Sequence, residues 1–284
     1  MINAGLILEG GGMRGAYTAG VLDYFMEQKM QFAECYGVSA GSCHLCSYMS
    51  NQIGRALRIS INYLNDKNYC SYHSLITTGD LFNVEMCYDL IPNKLDLYDY
   101  EAADRYPGKC YAVVTNIETG KAEYLRLKDM RKDIVAVQAS SSLPLVSRNV
   151  EYNGSLYLDG GMADSIPIRQ SIRSGNQKNV VILTRPVGYR KKPISQATLN
   201  MMKIRYRKYP RLVEVMRRRY QIYNRTLDFI EKAEARGKVF VLRPEAIVKI
   251  ERIEKDPNKL KVLYLQGYHD AAINHDAMMR YLEQ

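Results

Sequence analysis

The chain has 284 residues, 46% of them apolar and 25% charged, with a net charge of +10 at pH 7. That balance is ordinary for a globular protein of one large domain and excludes the disordered and fibrous classes. No apolar run approaches the roughly 20 residues that span a bilayer, and Met1–Glu9 lacks the basic flank and apolar length of a secretory signal, so a cytoplasmic protein is expected.

In chain order, Ala4–Glu9 is a short apolar run ending in Gly10-Gly11-Gly12, and helical periodicity follows over Arg14–Lys29. Phe32–Val38 reads as the second strand. It leads through Gly37-Val38-Ser39-Ala40-Gly41 into an apolar helix that runs to about Asn51. Strand, glycine turn and helix, twice over, predict a parallel sheet with crossover helices. Tyr63–Leu81 is polar and irregular, a candidate lid. Cys110–Asn116 and Ala122–Leu127 read as strands around a turn at Ile117–Lys121, and Asp129–Ser142 as a helix stopped by Pro144. Glu151–Asp159 reads as a hairpin turning at Asn153-Gly154. Asn179–Thr184 and Val239–Leu242 complete the strands; Ser195–Arg207, Leu212–Arg236 and Asn258–Leu282 are helical. With no repeat and no low-complexity linker, the expectation is an α/β domain with a helical C-terminal portion.

Chemistry concentrates at the glycine turns. Gly37–Gly41 fits G-x-S-x-G between an apolar strand and an apolar helix, where a nucleophile elbow belongs. The glycines relieve clashes across the sharp turn, and the Ser39 hydroxyl projects at a helix N-terminus, where developing negative charge is favoured. A plain tight turn with a serine N-cap fits the same pentapeptide. Gly10-Gly11-Gly12-Met13-Arg14-Gly15 also fits the dinucleotide fingerprint G-x-G-x-x-G. That reading needs an acid at the end of the second strand to hold a ribose. This strand ends in Gly37-Val38-Ser39, with Glu34 at its start, so the dinucleotide reading fails, and the G-K-[ST] of a P-loop is absent. Three successive glycines instead offer backbone N–H groups as a ready oxyanion hole. Arg14 sits at the mouth of that loop or in solvent.

Of the four histidines, His44 lies on the helix leading away from Ser39, and His269 and His275 lie in a polar C-terminal helix; with His73, none has the context of a triad base. Asp159 ends a strand before Gly160-Gly161, an arrangement that suits either a catalytic carboxylate or a capping turn. The six cysteines (Cys35, Cys43, Cys46, Cys70, Cys87, Cys110) are scattered, and Cys43-His44-Leu45-Cys46 has no second ligand pair at zinc spacing.

Together these motifs resemble the patatin-like phospholipase family. The resemblance runs from Gly5 to about Pro167, as G-G-G-x-R-G at 10–15, G-x-S-x-G at 37–41, Ala139-Ser140-Ser141-Ser142-Leu143-Pro144 as A-S-x-x-x-P, and D-G-G at 159–161. Glu254–Pro257 and Gly267–Ala271 are similar to bacterial members. The resemblance implies a three-layer α/β/α fold with a mainly parallel sheet; with the order of elements, the expected division is a catalytic core over residues 1–185 and a mainly helical portion over residues 186–284, with its basic patch at 185–225, packed on the core. It further implies Ser39 as nucleophile, Asp159 as its base without a histidine, and the N–H groups of Gly10, Gly11 and Gly12 as oxyanion hole. Arg14, Gly15, Gly37, Gly41, Gly160 and Gly161 support these motifs, no metal cofactor is needed, and the substrate is a lipid ester. Asp164 is a second carboxylate nearby, assigned a structural role. A non-catalytic lipid- or acyl-binding regulatory protein on the same fold is the alternative.

The charge is local. Between Arg185 and Arg225 there are 13 basic residues, opposed only by Glu214, so this segment carries +12. Its arginines and lysines alternate with Met201, Met202, Tyr206, Tyr209, Met216, Tyr220 and Tyr223. Three readings compete: a solvated face over a core stripe, peripheral binding to an anionic membrane surface, and a nucleic-acid groove. A nucleic-acid partner is disfavoured because it leaves three glycine motifs unexplained.

Overall fold

The computed structural model describes residues 1–284 except 246–249 and 252. Its frame is one sheet. Strand β1 (Ile2–Leu8) pairs in parallel with β2 (Phe32–Val38) on one side and with β7 (Asn179–Ile182) on the other. Beyond β7 lies parallel β8 (Phe240–Leu242), and beyond β2 lies parallel β3 (Lys109–Asn116). Antiparallel strands finish the β3 side: β4 (Ala122–Leu127), and the hairpin of β5 (Val150–Tyr152) and β6 (Ser155–Asp159). The hairpin turns at Asn153 and Gly154, both at positive φ, as an Asn-Gly turn requires.

Three strands claim β3, and their registers show how. β2 pairs with Lys109–Val113, β4 pairs with Cys110–Thr115, and β6 pairs only with Val114–Asn116. Since β4 occupies one edge throughout, β2 and β6 must share the other. β6 takes up that edge where β2 leaves it.

Strand periodicity divides the core between two faces. Leu6 and Leu8 of β1 pack among α1 (Ala16–Glu27), α2 (Ala40–Met49), α6 (Met130–Ser141) and α10 (Pro257–Ile273). Ile7, between them, joins Tyr223, Leu227 and Ile230 of the long helix α9 (Pro210–Glu234) and Ile168 of α7 (Ile168–Arg173) on the opposite face. The apolar stripe of the basic segment belongs to this second layer: Met202 of α8 (Gln196–Arg205), Tyr206, Leu212 and Met216 are buried against Ile117, Leu158 and Met162. Helix, sheet, helix is the three-layer order expected of the sequence, with a mainly parallel centre.

Several helices lie where the sequence pattern gave none: α3 (Arg55–Asn62), α4 (Tyr72–Thr78), α5 (Tyr100–Asp104), α7, and a π-helical stretch at Met86–Leu95 that contains Pro92. They are short, and two of them, α4 and α5, start at a single side-chain cap. Ser71 Oγ accepts the Ser74 N–H, which gives α4 in a stretch expected to be irregular; Asp99 Oδ1 accepts the Ala102 N–H for α5. The single helix expected over Asn258–Leu282 is two, α10 and α11 (His275–Glu283), because the chain leaves helical geometry at Asn274, whose amide donates back to the Asp270 carbonyl. Among the described residues no helix is long and apolar enough to cross a membrane.

Candidate active site

The C-terminal ends of β2, β1 and β7 lie side by side, where parallel α/β sheets gather ligands. Ser39 follows β2, Gly10–Gly12 follow β1, and Thr184 and Arg185 follow β7. Ser39 has φ 54° and ψ −125°, a conformation costly to a residue with a Cβ and characteristic of functional turns. Ala40 begins α2 directly after it. The turn is tight enough that a Cβ at Gly41 would lie 2.6 Å from the Leu8 carbonyl oxygen, and one at Gly37 would lie 2.6 Å from the Ser42 Cα.

Where β2 bends away from β3, a side chain completes the ladder. Ser140 Oγ, fully buried in α6, accepts the Ser39 N–H at 2.9 Å and donates to the Val113 carbonyl at 2.6 Å. Ser42 Oγ donates to the Ser39 carbonyl at 2.6 Å. The serine turn is therefore held from α6, which bridges it to β3, and from its own helix.

Asp159 arrives from the other direction along the same edge of β3. The last β2–β3 partners are Val38 and Val113, and the next β3 residue, Val114, pairs with Asp159. Asp159 is buried, Gly161 N–H donates to its Oδ1 at 2.7 Å, and Thr115 Oγ1 donates to its carbonyl at 2.9 Å. Gly160 lies so close to Val113 that a Cβ there would sit 2.1 Å from its carbonyl oxygen. Ser39, Asp159, Gly10, Gly11 and Gly12 line one cavity of about 190 Å³. Gly10 abuts the serine itself: a Cβ on it would lie 2.8 Å from the Ser39 Cβ.

The remaining sequence candidates also reach this region. Arg14 and Gly161 line the cavity, and Gly15 packs against the His44 ring. His44, on the helix that leads away from Ser39, lines the cavity too; it is buried, and burial lowers its pKa to about 4. Asp164 accepts a hydrogen bond from Tyr124 Oη at 2.8 Å, and burial raises its pKa. Cys43 and Cys46 are free thiols within α2, Cys43 contacting Ser141 Oγ at 3.3 Å. Among the described residues no group of three or more His, Cys, Asp or Glu side chains is arranged to hold a metal.

Some site residues gave no signal in the sequence. Glu9 is buried at the end of β1, accepting from Thr184 N–H at 2.6 Å, Thr184 Oγ1 at 3.1 Å and Tyr223 Oη at 2.6 Å. Arg219 Nε donates to the Gly161 carbonyl. Thr184 and Arg185 could have been inferred from the end of an apolar strand parallel to β1; Arg219 and Tyr223 could not, because only tertiary folding brings α9 to the site.

Similar proteins are known for most of the chain. A model of patatin-like phospholipases matches residues 6–172, and a model of a domain of unknown function (DUF6363) matches residues 209–283. The chain is 31% identical over 184 residues to the uncharacterized protein YjjU of Escherichia coli (strain K12), a match covering 64% of this chain and 52% of that protein. It is 28% identical over 191 residues to the "probable lipid hydrolase 463L" of Invertebrate iridescent virus 6, covering 61% and 65%. The chain thus spans roughly half to two thirds of the length of these relatives. Among solved structures, VipD from Legionella pneumophila aligns over 99% of this chain and 66% of its own, at 13% identity and a TM-score of 0.44.

Proposed function

The chain belongs to the patatin-like phospholipase family, and from that premise we propose that it is a lipid acyl hydrolase, a carboxylic ester hydrolase working through a Ser39–Asp159 dyad. The observation that carries this reading is the meeting of β2 and β6 on one edge of β3, which delivers a serine in a strained turn and a buried carboxylate to the same cavity.

In this mechanism Ser39 Oγ attacks the ester carbonyl while its proton passes to Asp159. A carboxylate is a weaker base than an alkoxide, so proton transfer is concerted with attack. The N–H groups of the Gly10–Gly12 loop stabilise the oxyanion, the alcohol leaves with the proton, and water then releases the acyl group by the reverse sequence. Gly161 fixes the carboxylate by its N–H, and Ser140 fixes the serine turn. His44 supplies neither step: its ring packs against Gly15 on the glycine-loop helix.

We take residues 1–185 as the catalytic core and 186–284 as a helical portion packed on it. The exposed cations of 185–225, among them Lys203, Arg205, Arg207 and Arg211, favour peripheral contact with an anionic membrane, where a lipid substrate is met.

The test is hydrolysis of a short p-nitrophenyl ester and of a mixed phospholipid set by wild type, Ser39→Ala, Asp159→Asn and His44→Gln. Turnover lost in the first two variants and kept in the third supports the dyad. Retained activity in Asp159→Asn removes the carboxylate from the mechanism. A folded wild type that turns nothing over, and whose Ser39 is not labelled by a fluorophosphonate, favours a lipid-binding protein without catalysis.

A further inference from the structure

The catalytic cavity follows one face of α2. Ser39, Cys43, Cys46 and Ser47 all line it, at the spacing of residues that share a helix face. From Ser39 to Cys46 the helix advances about 10 Å. Apolar side chains wall this channel, among them Tyr69, Phe82, Tyr88, Ile91 and Ile59 of α3. Its far end is different. Arg55, the first residue of α3, lines the same cavity although it is only 5% exposed. Its guanidinium carbon lies 5.0 Å from the Tyr98 ring centroid, and Tyr98 Oη donates to the Cys46 carbonyl at 2.9 Å, which sets Arg55 beside the second turn of α2.

Asp96 answers the charge of Arg55 but not all of its donors. Arg55 Nη2 donates to the Asp96 carbonyl at 2.9 Å, and Nε stands 3.3 Å from Asp96 Oδ1, an ion-pair contact without hydrogen-bond alignment. The carboxylate is taken up by Arg58, whose Nε and Nη2 donate to its two oxygens at 2.6 and 3.0 Å. Neither Nε nor Nη1 of Arg55 donates a hydrogen bond among the described residues. A hydrocarbon end packed against this guanidinium would leave it short of acceptors in an apolar pocket, whereas an oxygen would supply one. A site built to hydrogen-bond a substrate oxygen rejects the analogue without it far more strongly than a pocket that sorts by size.

We propose that Arg55 ends the acyl channel as a specificity residue, selecting esters whose acyl chain carries an oxygen, as hydroxyl or carboxylate, at its far end. The proposal rests on the lipid-hydrolase reading and names the acyl group that its site takes. It needs a donor at the channel end and no surplus of charge, so the pairing with Asp96 is compatible with it. The geometry sets the length. An extended alkyl chain advances about 1.3 Å per bond, so a chain with its ester carbonyl at Ser39 reaches Arg55 with roughly its ninth carbon.

The experiment measures kcat/KM of the full-length protein for p-nitrophenyl nonanoate, p-nitrophenyl 9-hydroxynonanoate and the p-nitrophenyl half-ester of nonanedioic acid, and repeats the first two at six carbons. At nine carbons an oxygen-bearing ester should exceed the nonanoate by about tenfold, the scale of one hydrogen bond to a charged donor. At six carbons the oxygen stops short of Arg55 and the advantage should vanish. Arg55→Met should erase the nine-carbon advantage, and Arg55→Lys should restore part of it, a rescue that a merely structural role would not give. An advantage confined to the half-ester supports the site and assigns it to carboxylates; one confined to the hydroxy ester supports it and assigns a neutral oxygen. Equal kcat/KM for the three nine-carbon esters, an advantage equal at six and nine carbons, or one that survives Arg55→Met overturns the site and leaves the hydrolase reading intact. Should Arg55→Met fail to fold, the contrast between six and nine carbons in wild type decides alone. Wild type that hydrolyses none of the esters defeats the hydrolase reading; calorimetric binding of methyl 9-hydroxynonanoate against methyl nonanoate then decides the site, equal affinities overturning it.

Discussion

The phenol of Tyr223, in the second helical layer, donates at 2.6 Å to Glu9, the residue that immediately precedes the Gly10–Gly12 loop. The same carboxylate accepts the backbone N–H of Thr184 at the end of β7. One buried acid therefore ties α9, β1 and β7 together at the base of the loop assigned to the oxyanion. Burial and the nearby Glu9 push the Tyr223 phenol well above its ordinary pKa, so it remains a donor throughout the working range.

Tyr223→Phe removes that donor and keeps the ring. Leaving a buried charged acceptor short of one bond costs roughly 1.5–3 kcal/mol, readable as a lowered urea midpoint with unchanged slope. If the loop is held in register by Glu9, kcat for a p-nitrophenyl ester should fall several-fold while KM moves little. A variant that loses stability and keeps full kcat would mean that the loop is positioned without Glu9.

Ser140→Ala tests the bridge at the end of the β2–β3 ladder. It strands the Ser39 N–H and the Val113 carbonyl, both of which now rely on one hydroxyl. The expected stability loss is about 1–3 kcal/mol, the cost of unsatisfied buried groups. Because the freed N–H belongs to the proposed nucleophile, the rate of fluorophosphonate labelling of Ser39 should drop more than the binding of a non-reactive lipid. Equal losses in both would indicate general loosening.

Two buried groups pull the pH dependence of stability in opposite directions. His44 has a folded pKa of about 4, below its usual 6.5, because burial opposes its charge. The unfolded chain then binds a proton that the folded chain refuses, so stability falls as pH drops from 6.5 to 4. Asp23 has a folded pKa raised from 3.8 to about 6, again by burial first. The folded chain holds a proton that the unfolded chain has released, so stability falls as pH rises from 3.8 to 6. Between pH 4 and 6 the two slopes, each approaching ~1.4 kcal/mol per pH unit, offset one another. Asp23→Asn should tilt the profile so that acid destabilises, and His44→Gln should tilt it the other way. Unfolding curves at pH 4.5, 5.0 and 5.5 separate these outcomes; unchanged profiles in both variants would contradict the assignment.

Much of this was legible in the sequence, and the boundary has a physical basis. Strand–glycine–helix order and local turn chemistry depend on near neighbours, so β2, β4, the Asn153-Gly154 hairpin and the Ser39 elbow could be read from residues a few positions apart. Ser39, Asp159 and Gly10–Gly12 are brought into one cavity by sheet register, which the strand order foreshadowed. What stayed hidden is long-range. The edge of β3 shared by β2 and β6, the Glu9–Tyr223 bond, and the turning of Arg185, Lys191 and Arg219 toward the cavity depend on packing across the sheet. A run of 13 cations looks uniform in sequence. In three dimensions it divides into cavity-lining side chains, a buried apolar underside and a solvated rim.

That rim carries the prediction for membrane association. Arg217 and Arg218 share Glu214, and Arg190 is paired with Asp228 and Glu231, whereas Lys203, Arg205, Arg207 and Arg211 stand exposed at the α8–α9 corner. Vesicles rich in anionic lipid should bind the protein at low salt, and binding should fall steeply as ionic strength shortens the screening length toward about 8 Å. Charge reversal of Lys203, Arg205 and Arg207 should abolish sedimentation with vesicles. Salt-insensitive binding would point to an apolar contact instead.

The close crossing of α1 and α10 gives a prediction whose sign is opposite to that from helix propensity. Alanine in a helix is favoured over glycine by about 1 kcal/mol, so Gly20→Ala would stabilise an exposed helix. Here a Cβ at Gly20 would lie 2.0 Å from the Tyr264 carbonyl oxygen, and one at Gly267 would lie 2.1 Å from that of Tyr17. These contacts are with backbone, which cannot swing aside, so the helices must separate. Separation also strains the two hydrogen bonds that flank the crossing, Tyr17 Oη to Asp270 at 2.9 Å and Tyr264 Oη to Asp23 at 2.7 Å. Overpacking of this kind costs about 1–3 kcal/mol before any lost hydrogen bond is counted. Gly20→Ala should therefore lower the urea midpoint, and Tyr264→Phe in that background should cost less than in wild type because its bond is already weakened. A stabilised Gly20→Ala protein would show that α10 can shift on α1 without penalty, and that the C-terminal helices are held to the core elsewhere.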